Sequence, residues 1–250
     1  MLRKLIVMAT LLASATAWAE TTTSLTTGFD YSTGNYGSTT STSILYIPVT
    51  AKYQTDDYYL KLTIPYIRVS SAGGVVRGFG NFMVKTGTRV TTQSGLGDVS
   101  ASAGYAILTT DSLWVDLVGN IKFGTADASR NLGTGENDYS AQLDGFYTLD
   151  NTTLLATAGY KIIGAPVGVT VNNIGYGTIG FSQKTSNTGA AGMLLDMSQA
   201  SSNTNPGTRE LTFFISDKIN KRTKVQLNLL KGFSDSSPNY GVGMMITGSF

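Results

Sequence analysis

Apolar and polar residues alternate along several segments of the chain. In residues 58–69, 113–124, 209–218 and 222–232, one parity carries large apolar side chains and the other carries polar ones. The apolar set comprises Leu60, Leu62, Ile64, Leu113, Val115, Leu117, Ile121, Leu211, Phe213, Ile215, Val225, Leu227 and Leu229. A repeat of two residues is typical of a β-strand whose faces meet different surroundings. We therefore predict an all-β protein.

The alternation predicts twelve strands that are connected in a regular way. They are placed at 23–32, 43–54, 58–69, 97–109, 113–124, 137–149, 153–164, 173–183, 189–199, 209–218, 222–232 and 240–250. Short and long connections alternate, the short ones at 55–57, 110–112, 150–151, 186–188 and 219–221, the long ones at 33–42, 70–96, 125–136, 165–172, 200–208 and 233–239. This order predicts an antiparallel transmembrane β-barrel with short periplasmic turns and longer outer loops.

Aromatic residues on the apolar parity distinguish this fold from a secreted β-sandwich, which also alternates. They fall at the predicted periplasmic strand ends, as Tyr53, Tyr58, Tyr105 and Tyr147, and at the outer ends, as Tyr31, Tyr66, Phe123, Tyr139 and Tyr240. Aromatic belts at both ends fit the two interfaces of a bilayer. We therefore favour the membrane barrel and keep the sandwich as the alternative.

The first 19 residues have the features of a secretory signal peptide. Arg3 and Lys4 precede the apolar run 5–13, and an A-x-A site follows at 17–19. We predict that the remainder, 20–250, forms a barrel in the lipid of a bacterial outer membrane. Without Arg3 and Lys4, 16 basic residues (18 minus 2) balance 16 acidic ones. This neutral charge gives no reason to expect a nucleic-acid partner.

The sequence contains no cysteine and no histidine. The lack of cysteine removes disulfides and thiolate metal sites. The lack of histidine removes Ser-His-Asp hydrolysis, imidazole base catalysis and histidine-ligated metals. Carboxylates such as Asp144 and Asp196 have no recognisable nucleophile motif beside them. We therefore predict neither an enzyme nor a cofactor or metal site.

Residues 240–250, the last segment of the sequence, have the alternating pattern of a strand with one apolar face. One parity of this segment is apolar and ends in Phe250, while Gly248 stands where a second aromatic or bulky apolar residue is usual. Apart from Gly248, the segment resembles the last strand of bacterial outer-membrane β-barrels. The resemblance implies recognition by the barrel-assembly machinery through the strand that ends in Phe250.

Three short motifs lie in residues 43–76 and 94–108. They are a Y-x-P strand with Tyr46 and Pro48, a returning IPY with Ile64, Pro65 and Tyr66, and a GLGD with Gly95, Leu96, Gly97 and Asp98. About a quarter of the chain thereby resembles the phenol-degradation meta-pathway family of outer-membrane transporters. The resemblance implies a channel for small solutes, such as aromatic or other apolar compounds, and carries over no binding residues.

The same motifs have structural interpretations. Proline lacks an N–H, so Pro48 and Pro65 are expected at irregular points of the sheet. Gly95 and Gly97 are expected to shape a turn in which Asp98 bonds backbone amides. These interpretations require no ligand.

Charged side chains on the polar parity predict the contents of the lumen. The candidates are Asp30, Lys52, Lys61, Asp116, Lys122, Asp144, Lys161, Asp196, Glu210 and Lys224. Because unpaired buried charge is costly, such groups either pair across the lumen or face water. We expect pairing, with Lys122, Asp144 and Lys161 in one network. A barrel of this size is expected to hold a narrow, partly obstructed pore.

The longest outer connection, 70–96, is the candidate constriction or lid. Together with Arg68 it supplies basic and apolar residues and no acidic ones, namely Arg68, Val75, Val76, Arg77, Phe82, Met83, Lys85 and Arg89. Positive charge at a mouth favours anions. We therefore predict a passive channel for small solutes. A non-conducting barrel with a structural or surface-binding role is the alternative, and an enzyme is least favoured.

Overall fold

The computed structural model describes residues 21–72, 74–76, 82–84, 90–203 and 206–250. The predicted signal peptide lies outside these ranges. The strands are β1 (Thr22–Gly34), β2 (Thr42–Gln54), β3 (Tyr58–Ser71), β4 (Gly74–Val76), β5 (Phe82–Val84), β6 (Thr91–Leu96), β7 (Ser100–Thr109), β8 (Leu113–Lys122), β9 (Asp138–Leu149), β10 (Thr152–Ile162), β11 (Ile174–Lys184), β12 (Ala190–Ser198), β13 (Arg209–Lys218), β14 (Thr223–Gly232) and β15 (Tyr240–Ser249). A 3₁₀ turn, Ala128–Arg130, lies between β8 and β9.

Antiparallel pairing closes these strands into a barrel. β1 pairs with both β2 and β15, and β2 pairs onward with β3. β3 pairs with β6 along its outer half and with β7 along its periplasmic half, so β6 and β7 share one position in the wall. β4 and β5 form a separate hairpin. Across the described ranges the wall therefore has twelve strand positions, which confirms the predicted fold.

The ladder between β1 and β15 is the seam of the barrel. It runs from Ser24 opposite Ser249 to Thr33 opposite Tyr240. The N–H of Phe250 extends it by donating to the carbonyl oxygen of Thr23 at 2.8 Å. A closed ladder satisfies the backbone groups that an open sheet edge would expose to hydrocarbon.

The two faces of the wall differ as the alternation predicts. Leu60 and Leu117 are 51% and 48% exposed, whereas the adjacent Tyr59 and Val118 point inward and are 4% and 1% exposed. All the aromatic residues predicted for the two belts are exposed. An outer surface of exposed apolar side chains suits the hydrocarbon of a bilayer.

Side-chain oxygens stabilise the tight turns. The hydroxyl of Thr55 accepts hydrogen bonds from the N–H groups of Asp57 and Tyr58 at 3.3 and 3.1 Å. At another turn, Asn220 Oδ1 accepts from the N–H groups of Arg222 and Thr223, both at 2.9 Å. Threonine and asparagine commonly bond the backbone two or three residues on in turns. These bonds fix the order of neighbouring strands at the periplasmic end.

The fourth position of the wall differs from the predicted strand at 97–109. Pairing with β3 begins earlier, at Thr91, and is interrupted at 97–99 between β6 and β7. The connection predicted at 70–96 is shorter by the length of β6 and contains the β4–β5 hairpin. Gly95 and Gly97 therefore do not form a turn before the strand: Gly95 lies in β6, and Gly97 lies in the interruption between β6 and β7.

Pro48 and Pro65 lie directly opposite each other on β2 and β3. The β1–β2 ladder is irregular beside Pro48, because no paired residues are found between Val49 and Tyr46. Pro65 lies beside the interruption of the next strand, where its carbonyl oxygen accepts from the N–H of Gly97 at 2.8 Å. Both prolines therefore stand at irregular points of the sheet, as expected.

No helix in the described part of the chain is long and apolar enough to cross a membrane.

Candidate functional site

The lumen of the barrel holds the charged residues predicted for it. All ten of them lie on the inward parity of their strands, and Asp116, Asp144 and Lys161 are buried there, at 4%, 3% and 4% exposure. Asp196 lies directly opposite Glu210 and accepts a hydrogen bond from the Thr178 hydroxyl at 2.6 Å. The inner face is therefore polar along much of its length, in contrast with the outer face.

The outer end of the lumen is narrowed by residues 123–137, the connection between β8 and β9. Ala126 and Leu132 of this segment are 6% and 3% exposed and belong to one apolar cluster with Ile44, Ile67 and Val69 on the inner faces of β2 and β3. Burial of such side chains in contact with one another is favourable. The segment therefore folds over the mouth instead of extending outward. We call residues 123–137 the inward segment.

Asp98, in the interruption between β6 and β7, anchors the inward segment. Its Oδ1 accepts a hydrogen bond from the N–H of Ala126 at 3.0 Å, and its Oδ2 lies 3.3 Å from Nζ of Lys122. Lys122 also pairs with Asp138 at 3.1 Å. One lysine between two carboxylates links the wall to both ends of the segment.

A short turn shapes the inward segment. Asp127 caps the Ala128–Arg130 turn by accepting hydrogen bonds from the N–H and hydroxyl of Ser129 at 3.0 and 2.6 Å. These bonds to Ser129 lower the pKa of the Asp127 carboxyl. Asn131 ends the turn in the left-handed conformation, with φ of 55°. This sharp reversal of the chain places Leu132 toward the lumen.

A second network occupies the middle of the lumen around Asp144. Gln142 Nε2 donates to both carboxylate oxygens, at 2.7 and 2.9 Å, and the Thr157 hydroxyl donates at 2.7 Å. Tyr176 in turn donates to Gln142 Oε1 at 2.7 Å. Neutral donors on β9 and β10 therefore satisfy this carboxylate, and Tyr176 on β11 holds the Gln142 amide in place.

Two like-charged pairs face the lumen near this network. Lys52 and Lys61 are direct cross-strand partners on β2 and β3, and Asp116 and Asp144 are direct partners on β8 and β9. The indole N–H of Trp114 donates to Asp116. The basic pair and the acidic pair lie on different parts of the wall, with β7 between them.

The expected network of Lys122, Asp144 and Lys161 is divided. Lys122 and Lys161 both interact with Asp138, whereas Asp144 lies six residues further along β9. Six residues of a strand span about 20 Å. Asp138 has the same parity as Asp144 in the sequence. This could have indicated Asp138 as the nearer partner of Lys122 and Lys161.

Four of the predicted mouth residues are brought together in the β4–β5 hairpin, where Val75 pairs with Met83 and Val76 pairs with Phe82. Arg68 is exposed on the outward parity of β3, so it does not face the lumen. The other candidates, Val75, Val76, Arg77, Phe82, Met83, Lys85 and Arg89, have side chains outside the described residues. The inward segment, which sequence reasoning did not select, narrows the mouth.

The fold has counterparts among solved structures. The COG4313 outer membrane channel from Pseudomonas putida F1 has a TM-score of 0.69 at 12% identity, over 94% of this chain and 97% of that chain. The KdgM porin has a TM-score of 0.60 at 9% identity, over 91% and 99%. The translocator domain of the autotransporter NalP from Neisseria meningitidis has a TM-score of 0.54 at 12% identity, over 92% and 88%.

The fold is that of a bacterial outer-membrane β-barrel. At these identities the likeness to solved structures shows the fold alone. Neither a family model nor a curated protein matches the sequence. Among the described residues, no group of three or more acidic residues is arranged to hold a metal ion.

Proposed function

We propose that the protein is a narrow outer-membrane channel through which small solutes pass by diffusion. The observation that carries this proposal is the polar inner face of a closed barrel, with half-buried Lys52, Lys61, Asp196 and Glu210 among its residues. Charged groups in a membrane-spanning structure mark a water-filled path when they are not buried in the protein. The structural neighbours named as channels and porins support the same proposal.

We infer that the inward segment is the constriction. It narrows the mouth because Leu132 packs against Ile44 and Ile67, and all three are buried apolar residues. The solutes that we propose are the aromatic or other apolar compounds that the resemblance to the phenol-degradation family implies. The basic connection 70–96 is proposed as a second, electrostatic component of the mouth that favours anions.

A non-conducting barrel is the second candidate because part of the lumen is filled. Phe146 and Leu155 are 6% and 7% exposed and pack with Trp114 and Leu194 on the inner face. Small barrels are commonly filled by side chains. We do not propose an enzyme, since the sequence lacks the histidine and cysteine on which such catalysis commonly depends.

We also propose that the cell assembles this barrel through its last strand. β15 provides the apolar outward residues Val242 and Ile246, which are 45% and 40% exposed, and Phe250 is 76% exposed. Replacing Phe250 by Ser should lower the amount of folded protein in the outer membrane while leaving refolding in detergent intact. Equal membrane levels of Phe250→Ser and wild type would contradict this role.

Single-channel recording in a planar bilayer tests the channel. Folded protein, identified by migration in SDS that changes on heating, should give discrete conductance steps. Folded protein that inserts into lipid and gives no steps would exclude the channel and leave the filled barrel. Ion selectivity in the same recording tests the basic connection, because replacing Arg77, Lys85 and Arg89 by Gln should lower the preference for anions.

A further inference from the structure

Lys52 and Lys61 form a positively charged pair on the inner wall. They are direct cross-strand partners and both are half-buried on the inward parity. Directly opposite side chains have Cβ atoms about 5 Å apart, where like charges are destabilising. Within the described ranges, neither ammonium lies at ion-pair distance from a carboxylate. The chain therefore places two cations together without a bonded counter-ion.

Tyr59 lies beside this pair and has an unused hydrogen-bond donor. The ammonium of Lys52 lies 4.6 Å from the centroid of its ring, and the ring packs against Val118. The Tyr59 side chain is 4% exposed, and its hydroxyl has no hydrogen-bond partner among the described residues. This hydroxyl is buried and interacts electrostatically with Asp144 and Asp116, so Tyr59 presents to Lys52 only the face of its ring.

The nearest acidic groups do not supply that counter-ion. Asp116 and Asp144 interact with Lys52 and Lys61 electrostatically, but each carboxylate takes its hydrogen bonds from neutral donors. The two carboxylates therefore have hydrogen-bond donors within the wall, whereas the two ammonium groups have no carboxylate of the described residues at ion-pair distance. This difference favours a ligand of negative charge on the side of the lysines.

We propose that Lys52 and Lys61 form a lumenal binding site for the oxyanion group of a small solute, a carboxylate or a phosphate. The two ammonium groups would donate charge-assisted hydrogen bonds. An oxyanion between the lysines relieves their repulsion. This inference deepens the proposed channel function, on which it rests, by naming small anions as the solute class.

Trp114 provides a measure of binding that does not require conduction. Its indole donates to Asp116, whose charge interacts with Lys52, and it is the single tryptophan of residues 20–250. Folded protein in detergent is titrated with benzoate, with the neutral analogue benzamide and with inorganic phosphate. Benzoate should change the Trp114 emission saturably, and benzamide should not. Equal responses to benzoate and benzamide, or no saturable response to either anion, would overturn the site.

Matched variants locate the binding. The double variant Lys52→Gln, Lys61→Gln should raise the Kd for benzoate on the order of tenfold to a hundredfold, since charge-assisted hydrogen bonds are lost. Arginine at both positions should retain binding, as should the control Lys224→Gln, which removes another lumenal lysine. Wild-type affinity in the double glutamine variant overturns the assignment. Should that variant not fold, the single variants Lys52→Gln and Lys61→Gln replace it, and each is expected to weaken binding. Wild-type affinity in both single variants would also overturn the assignment.

The outcomes separate this site from the channel. Saturable benzoate binding without conductance supports the site and excludes the channel. Conductance without anion binding supports the channel and excludes the site. If phosphate competes with benzoate, the site accepts inorganic oxyanions; if it does not, the solute is an organic carboxylate.

Discussion

Leu132 rests on Gly95 at the outer mouth of the barrel. A Cβ atom on Gly95 would stand 2.9 Å from Cδ1 of Leu132, which is closer than such atoms approach in folded proteins. Leu132 reaches this position from the inward segment, while Gly95 belongs to β6 in the wall. The absence of a side chain on Gly95 is therefore what allows the leucine to lie against the inner wall.

Leu132→Ala should raise the single-channel conductance. The substitution removes apolar contacts with Ile44 and Ile67, and truncating a buried leucine costs about 2–5 kcal/mol, so the inward segment should be held less firmly. Recording in planar bilayers measures the change. Leu149→Ala is the matched control, because Leu149 is 48% exposed on the outer face. A conductance equal to wild type in both variants would exclude the inward segment as the constriction.

Asp98→Ala should make the inward segment accessible to protease. The substitution removes the acceptor for the Ala126 N–H and one of the two partners of Lys122. Limited digestion with trypsin should then cleave folded barrel at the exposed Arg130 faster than in wild type, because local opening exposes the backbone.

Asp111→Ala is the control for this experiment, since Asp111 is exposed in a tight turn. Lys122→Met should act in the same direction as Asp98→Ala, because it leaves both carboxylates without their shared cation. Equal cleavage rates in Asp98→Ala and Asp111→Ala would show that Asp98 does not hold the segment.

The wall of this barrel could be predicted from the sequence because its physical signal is local. Each strand alternates between hydrocarbon and lumen, so the parity of Leu60 or Leu227 alone assigns a face. The tight turns carry their own side-chain acceptors, such as Thr55 and Asn220. An even number of strands allows the first and the last to pair antiparallel, as β1 and β15 do. For these reasons the positions of the strands agree closely with those expected.

The contents of the lumen were harder to predict because they depend on contacts between distant strands. The parity of Lys122 gives its face but not its partner, since Asp98 and Asp138 come from separate connections and strands. Leu132 lies in a polar, glycine-containing loop, where a single apolar residue gives little indication of burial. Tyr58 is assigned to an aromatic belt and the adjacent Tyr59 is not assigned, although the parity of Tyr59 could have indicated that it faces the lumen.

Gly104→Ala should destabilise the barrel, whereas Gly119→Ala should not. A Cβ on Gly104 would stand 2.1 Å from Cε1 of Tyr59, so the ring must move from its place against Val118. Overpacking of this kind costs about 1–3 kcal/mol. At Gly119 no atom lies within 4 Å of the added Cβ, and alanine should stabilise the strand by about 0.5–1 kcal/mol.

Urea titration of barrels in lipid vesicles measures the free energy of unfolding of each glycine variant. The predicted order of stability, from highest to lowest, is Gly119→Ala, wild type and Gly104→Ala. Equal stabilities for the two variants would mean that the Tyr59 ring is free to move and is not held across β7.

Leu117→Arg should impair folding into lipid far more than Asn120→Arg on the same strand. Leu117 is 48% exposed on the outer face, where arginine near the bilayer midplane costs about 2–4 kcal/mol. Asn120 is half-buried on the inner face, where its amide bonds Ser140 at 3.3 Å. Arginine there remains among polar groups. The neighbouring Val118 is unsuitable for comparison, because it is 1% exposed and packs against Tyr59.

The yield of folded protein, measured by heat-dependent migration after refolding into vesicles, compares Leu117→Arg with Asn120→Arg. Leu117→Lys should fail in the same way as Leu117→Arg, since the cost comes from the charge. Leu117→Phe should fold normally, because it keeps an apolar group on the outer face. Equal yields for arginine at the two positions, or a lower yield for Asn120→Arg, would mean that β8 presents the opposite face to the bilayer.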